Sequence, residues 1–326
     1  MKKALCILAT ALALFSCKSN KTLLPNVSGK AGEIIVVIER SDWEGNLGTL
    51  VREQLACDCP YLAQKEPLYT LVNVPPGSFG DLFKVHRNIV YFNITSQADT
   101  SILYRHDVWA APQCMVQVNA RSAEKAAEMF GRDSKTIIKF IEQAERDRVI
   151  RNSIRYEERE IAPKVAEVFG GSPHFPMGYK LKKLTSDFAW IADEKQFTTQ
   201  GVLIYKYPAK RDAEELSVER IINKRNETMK ENVPGMFENT WMTTGTFMPP
   251  QIEFLRFRGR EFAQVRGLWE VENDYMGGPF VSQSFYSPDG TEVIVAEAFV
   301  YAPRYDKRQY LRQVESIIYS WEWAEK

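Results

Sequence analysis

Apolar and polar positions along this chain follow two periods, about two and about 3.6 residues, and the alternation between them lays out the elements. The β-branched run Ile34-Ile35-Val36-Val37-Ile38 reads as a buried strand, and Leu47, Leu50, Val51 and Leu55 behind it fall at helical spacing. Further strands are expected at Leu68 to Val74, Ile89 to Ile94, Leu103 to Ala110 and Cys114 to Val118. A helix is expected from near Ser122, with Glu124 in its first turn where an acid complements the helix dipole. Ile137, Ile138, Ile141 and Ala144 mark one face of a second helix, which runs into Glu145-Arg146-Asp147-Arg148 and on toward Glu160. Arg146, Arg148, Arg151, Arg155 and Arg159 are balanced there by Glu145, Asp147, Glu157, Glu158 and Glu160, the composition of a solvated helix face. Pro163 should break or kink the helix, and Gly170-Gly171-Ser172-Pro173 after it marks a boundary between two halves.

The second half opens with strands near Tyr179 to Leu184, Phe188 to Ala192 and Gly201 to Tyr207, then a helix carrying Val218, Ile221, Ile222 and Met229. Strands at Ile252 to Arg258 and Glu261 to Val271 join through Gly259, and Ser287-Pro288-Asp289-Gly290 is the turn of a second hairpin. Val293 to Tyr301 is apolar almost throughout, with Glu297 the exception, as a central strand would be. Tyr310, Leu311, Val314, Ile317, Ile318 and Trp321 then trace the apolar face of a last helix. The fold class expected is α+β: two α/β units on mainly antiparallel or mixed sheets flanked by helices, joined by a long charged helix. Both halves deliver a strand into a helix in similar fashion, through Val118-Asn119-Ala120-Arg121 and Val300-Tyr301-Ala302-Pro303-Arg304, which hints at a duplicated unit.

The N-terminal pattern is different. Ala4 to Ser16 is nearly all apolar behind Lys2 and Lys3, too short to cross a bilayer but the right length for a signal-peptide core. Leu14-Phe15-Ser16-Cys17 closes it and resembles the lipobox of Gram-negative lipoproteins. That resemblance implies cleavage between Ser16 and Cys17 and acylation of Cys17. Two or more acyl chains hold a protein stably on a membrane, since each buried CH₂ contributes about 0.8 kcal/mol. The expected organisation is therefore 1–16 signal peptide, 17–31 lipidated tether, 32–171 first α+β unit with the connecting helix, and 172–326 second α+β unit. Lys18 after the cysteine resembles lipoproteins sorted to the outer membrane, and the lack of an acidic cluster resembles those facing the periplasm.

Charge and cysteines narrow the chemistry. Lysine plus arginine and aspartate plus glutamate each number 42, so no basic excess favours nucleic acid as a partner. With Cys6 removed and Cys17 acylated, Cys57, Cys59 and Cys114 remain, in a compartment where disulfides form. Ring strain across Cys57-Asp58-Cys59 makes a bridge from Cys114 to Cys57 or to Cys59 the expected pairing, if one forms. His86, His106 and His174 lie too far apart for a helical zinc pair, and no phosphate-cradling loop, dinucleotide fingerprint or serine elbow is present. No cofactor is expected. His106-Asp107 and Cys114 invite a nucleophilic reading, for which a satisfied histidine is the simpler account, and Glu39, Asp42 and Glu44 after the first strand read equally as helix caps. Methionines and aromatics gather in Gly/Pro-rich loops of the second half: Met236, Phe237, Trp241, Met242, Phe247, Met248, Tyr275 and Met276 are the candidate partner-binding residues.

Pro176-Met177-Gly178-Tyr179, Phe188-Ala189-Trp190, Gly267-Leu268-Trp269 and Met276-Gly277-Gly278-Pro279-Phe280 carry a resemblance to uncharacterised lipoproteins of Bacteroidota-type Gram-negative bacteria. It implies a domain of unknown function over nearly all of the mature chain, and no activity. The second half is also distantly similar, in fold alone, to the P-type oxygen-evolving subunits of photosystems. The leading expectation is a lipid-anchored protein on the periplasmic face of the outer membrane, acting as a non-enzymatic binding or assembly module for an envelope protein, glycan or lipid. The alternative is an envelope glycan or peptide hydrolase using carboxylates, which leave no fixed spacing in sequence.

Overall fold

The computed structural model describes residues 23–324. The signal run, Ser16 and Cys17 lie outside the described residues.

Two sheets organise the chain. The first comprises β1 (Glu33–Val37), β2 (Thr70–Val74), β3 (Asn88–Ile94), β4 (Ser101–His106) and β5 (Cys114–Ala120) in the order β2-β1-β3-β5-β4. Its ladders are parallel except for β4, which returns antiparallel beside β5. Parallel pairing needs crossover connections. Here these include the helices α1 (Arg40–Glu44), α2 (Asn46–Leu55) and α3 (Asp81–Lys84). One face of the sheet packs under α2 and the long helix α4 (Ala123–Arg155) through Ile34, Val36, Val90, Val116 and Val118. The opposite face, with Ile35, Val37, Ile89 and Met115, is covered by Phe79, Phe83 and Trp109.

The second half is an all-antiparallel, eight-stranded sheet built from β7 (Lys180–Leu184), β8 (Phe188–Lys195), β9 (Thr198–Pro208), β10 (Met242–Thr244), β11 (Gln251–Phe257), β12 (Arg260–Val271), β13 (Gly277–Tyr286) and β14 (Glu292–Tyr301). The path runs β10-β12-β13-β14-β9-β8-β7, with β11 hairpinned onto β12 through Arg258 and Gly259 at φ 46° and 84°. Helices α5 (Ile161–Phe169) and α7 (Arg308–Tyr319) lie on one face, and α6 (Val218–Asn232) on the other. Strand β14 shows why its sequence is apolar almost throughout: Ile294, Ala296, Ala298 and Val300 face α7, while Val293, Val295 and Phe299 face α6. A two-stranded ladder of β6 (Gly171–Ser172) and β15 (Glu322–Trp323) closes the end of the unit.

Three expectations are corrected. The two halves are not a duplicated unit, because one sheet is mostly parallel and the other wholly antiparallel. The two helices expected between Ser122 and Glu160 are one helix of 33 residues, whose Ser122 side chain caps the Lys125 N–H. Pro163 does not break that helix; it sits in the first turn of α5, where its missing N–H costs little.

The units are clasped together. The Glu66 carboxylate, buried, accepts the N–H groups of Lys307 at 2.7 Å and Arg308 at 2.9 Å, so an acid from the first unit caps the N-terminus of α7 in the second. Arg308 donates to the carbonyl of Pro67, Arg312 to that of Leu68 at 2.6 Å, and Gln309 to that of Ala31 at 2.7 Å. Replacing Glu66 with alanine strands one buried and one half-buried N–H donor and should lower stability by about 1–2 kcal/mol. Urea unfolding with intrinsic tryptophan fluorescence checks this, and an unchanged midpoint would show that the cap is dispensable.

Candidate functional site

Between the two units opens a cleft of about 900 Å³, walled by α4 from the first and by α7, β11 and β12 from the second. Its chemistry comes largely from charged residues of α4 that were expected to face solvent. Glu145 is buried, and its carboxylate accepts from Gly32 N at 3.1 Å, Asn88 Nδ2 at 2.7 Å and Arg87 Nη2 at 2.8 Å, with Arg148 Nη1 at 3.2 Å. Arg148 in turn donates to the carbonyls of Pro112 and Arg87 and to Asn88 Oδ1. The balanced run reads as solvated by composition, yet one turn of it anchors α4 to the first sheet. Burial alone would push the Glu145 carboxyl up; Arg87, then Arg148, and the bonds from Asn88 and Gly32 outweigh it and hold the group below its ordinary value.

Deeper along the wall, Arg266 of β12 donates to Glu315 of α7, and Arg146 of α4 approaches the same Glu315 oxygen at 4.0 Å. Two guanidinium groups thus share one carboxylate. Arg146 also lies over the Tyr319 ring at 3.8 Å, a cation–π contact. The Tyr319 hydroxyl donates to Gln264 Oε1 at 2.7 Å, and burial pushes it up to about 12, so it stays protonated at neutral pH. On β12 the positions Arg260, Phe262, Gln264 and Arg266 step two residues at a time along the face toward α7; of these, Phe262, Gln264 and Arg266 line the cleft.

The cysteines do not pair. Cys57, Cys59 and Cys114 are all free thiols, so the bridge from Cys114 to Cys57 or Cys59 does not form. Cys114 is sealed in the core between β5 and α4, where burial pushes its thiol up to about 12. His106 stands across the ladder from Cys114, but its ring packs against Phe140 at 4.8 Å and is exposed, which leaves a neutral buried thiol and no nucleophile. Cys59 lines the cleft, and burial raises its thiol to about 11.

The loop residues divide. Met236, Phe237, Phe247 and Tyr275 are exposed, at 79%, 65%, 74% and 106% of their reference areas, as a contact surface requires. Met242 is the correction: it opens β10, is buried, and its sulfur receives Arg225 Nη2 at 3.6 Å, so it cannot meet a partner. Trp241 is half-buried under Lys230 at 4.6 Å, Met276 packs onto the α6-side core, and Met248 is half-buried. Glu272 N donates to Trp241 O at 2.9 Å, which brings the turn bearing Tyr275 and Met276 beside the loop bearing Met236 and Phe237. Gly245 N donates to Leu268 O at 2.7 Å, which sets the Phe247 and Met248 loop farther along β12.

The two buried acids of the cleft bear on the hydrolase alternative. Glu145 and Glu315 are both engaged by arginines, and Glu145 is held below its ordinary value, the opposite of what a proton donor needs. Among the described residues, no group of three or more His, Cys, Asp or Glu side chains gathers as a metal site.

The family model for the domain of unknown function DUF4837 matches residues 158–320, half of the chain. The chain belongs to the DUF4837 family. A second domain of unknown function, DUF8532, matches residues 27–153. The two matched segments contribute opposite walls of the cleft. No curated protein matches the chain. Among solved structures, human STARD10 is similar at 6% identity with a TM-score of 0.24, over 50% of this chain and 74% of that one.

The sequence reading missed Arg146, Arg266, Glu315, Tyr319 and the arginines of α7 as a set. Two signals were there to be used: the two-residue polar step on β12, and Arg308 and Arg312 one turn apart on an otherwise core-facing helix.

Proposed function

We propose that this chain is a lipid-anchored cell-envelope protein, held through Cys17 on the periplasmic face of the outer membrane, that works as a non-enzymatic binding module with the cleft between its units as the ligand site. The exposed loop residues Met236, Phe237, Phe247 and Tyr275 are the surface it offers to an envelope protein, glycan or lipid. The observation that carries this reading is the cleft itself, of a size suited to a small molecule, whose buried acids are committed to arginines rather than left to move protons. The anchor rests on the lipobox-like Leu14-Phe15-Ser16-Cys17 and on the resemblance to Bacteroidota-type lipoproteins. Among the described residues, no helix is long and apolar enough to cross a membrane.

Cys17→Ala should abolish acyl labelling and release or misprocess the precursor; retention in the membrane with unchanged label would end the anchor reading. Leu255 lines the cleft on β11, so Leu255→Trp should obstruct it. Native mass spectrometry of the full chain from its own envelope should then find a small molecule carried by the wild type and absent from Leu255→Trp. A ligand retained equally by both would place binding elsewhere.

A further inference from the structure

The chain as a whole is neutral, with 42 cationic and 42 acidic residues, yet the arginines in one part of the cleft outnumber the acids that neutralise them. Arg146 and Arg266 share the single carboxylate of Glu315. Arg308 and Arg312 lie one turn apart on α7, also in the cleft lining, and neither has a carboxylate within ion-pair distance among the described residues. Their hydrogen bonds go to neutral acceptors: Arg308 to the Pro67 carbonyl and, at 3.4 Å, to Thr70 Oγ1, and Arg312 to the Leu68 carbonyl. Glu66, the acid beside Arg308, spends its oxygens on the backbone N–H groups of Lys307 and Arg308. Glu142 lines the same cleft. Burial and then the like charge of Arg312 push Arg308 below its ordinary value. Glu315, which holds Arg266, lies one turn beyond Arg312 on α7, so the three guanidinium groups border one stretch of the cleft.

Resting on the reading of the cleft as a binding site, we propose that this end of it, formed by Arg266, Arg308 and Arg312, takes a small-molecule ligand that carries more than one negative charge on its carboxylate or phosphate groups. A guanidinium presents paired N–H donors in a plane, matching the two oxygens of a carboxylate or phosphate, and its attraction for them strengthens in a partly desolvated cleft. Leu255 and Phe257, half-buried in the same lining, offer apolar surface to the rest of such a ligand.

The test is isothermal titration calorimetry on the full chain in detergent at low ionic strength, with pyrophosphate, succinate and the neutral sugar maltotriose as separate probes. At least one anion should bind, weakening several-fold when salt is raised from about 50 to about 200 mM, roughly as counterion competition requires. Binding should fall at least tenfold in Arg312→Gln. Since Arg312 also bonds to Leu68, Arg266→Gln provides a second removal of charge, and a melting curve on each variant separates lost binding from lost folding. Preference for pyrophosphate assigns the phosphate class, and preference for succinate the carboxylate class. Failure of both anions to bind, or binding unmoved in both folded variants, overturns the proposal. Maltotriose binding that Leu255→Trp abolishes, with neither anion bound, would overturn it while leaving the cleft as a binding site; no ligand retained in the cleft at all would overturn both readings.

Discussion

Glu297→Ala should destabilise the second unit by about 3–5 kcal/mol, the usual cost of removing one partner from a buried ion pair. Arg225 of α6 and Glu297 of β14 are both fully buried, joined by two bonds of 2.8 Å from Nε and Nη2 to the two carboxylate oxygens. Arg225 also donates to Thr244 Oγ1 at 3.0 Å and lies over the Phe280 ring at 4.1 Å. Cutting away the carboxylate leaves a guanidinium with no counter-charge between helix and sheet, whereas Glu297→Gln keeps an acceptor and should cost less. Denaturant unfolding of the three proteins checks the order, and an alanine variant within about 1 kcal/mol of wild type would refute it. The pair also explains why a single acid interrupts an otherwise apolar central strand: that position meets the one arginine on the buried side of α6.

Glu145→Gln should remove a comparable share of stability and also change how stability depends on pH. Because the folded carboxyl lies below its unfolded value, its contribution is fully present above the ordinary glutamate range, about 4.3, and is lost as pH falls through the folded value. Wild type should therefore lose stability over that acid window, and Glu145→Gln should show a flatter profile across it while being less stable at neutral pH. Urea midpoints measured from about pH 7 down to about pH 3 decide this, and parallel profiles would show that Glu145 does not couple folding to protons. Gly32 belongs to the same site. At φ 71° it donates its N–H to Glu145, and a side chain there would be strained by that backbone conformation and would displace the ends of Gln309 and Arg312.

These sites mark how far the sequence could be read. Strands and helices followed from periodicity because each buries a defined face, as in the β12–β13–β14 meander and in α7. Burial of the charged turn around Glu145 and Arg148 did not, because composition reports that charges balance and not which partners they meet. Arg87 and Asn88 lie 58 and 57 residues from Glu145 along the chain, and nothing local links them. The cleft was illegible for the same reason: its walls come from both halves, and its arginines resemble ordinary surface charge until the units are set together. Met242 was misassigned because a loop-like context of Thr, Gly and Pro hid a short strand whose side chain turns inward.

The clasp on α7 also bears on the order of events in folding. Its bonds to Glu66, Pro67 and Leu68 span between 241 and 244 residues of chain. Closing so long a loop carries an entropic cost that local pairing does not, so contacts of this kind form late. The docking edge of the first sheet is therefore uncovered until α7 seats on it, and the cleft is a product of the finished molecule that neither half holds alone.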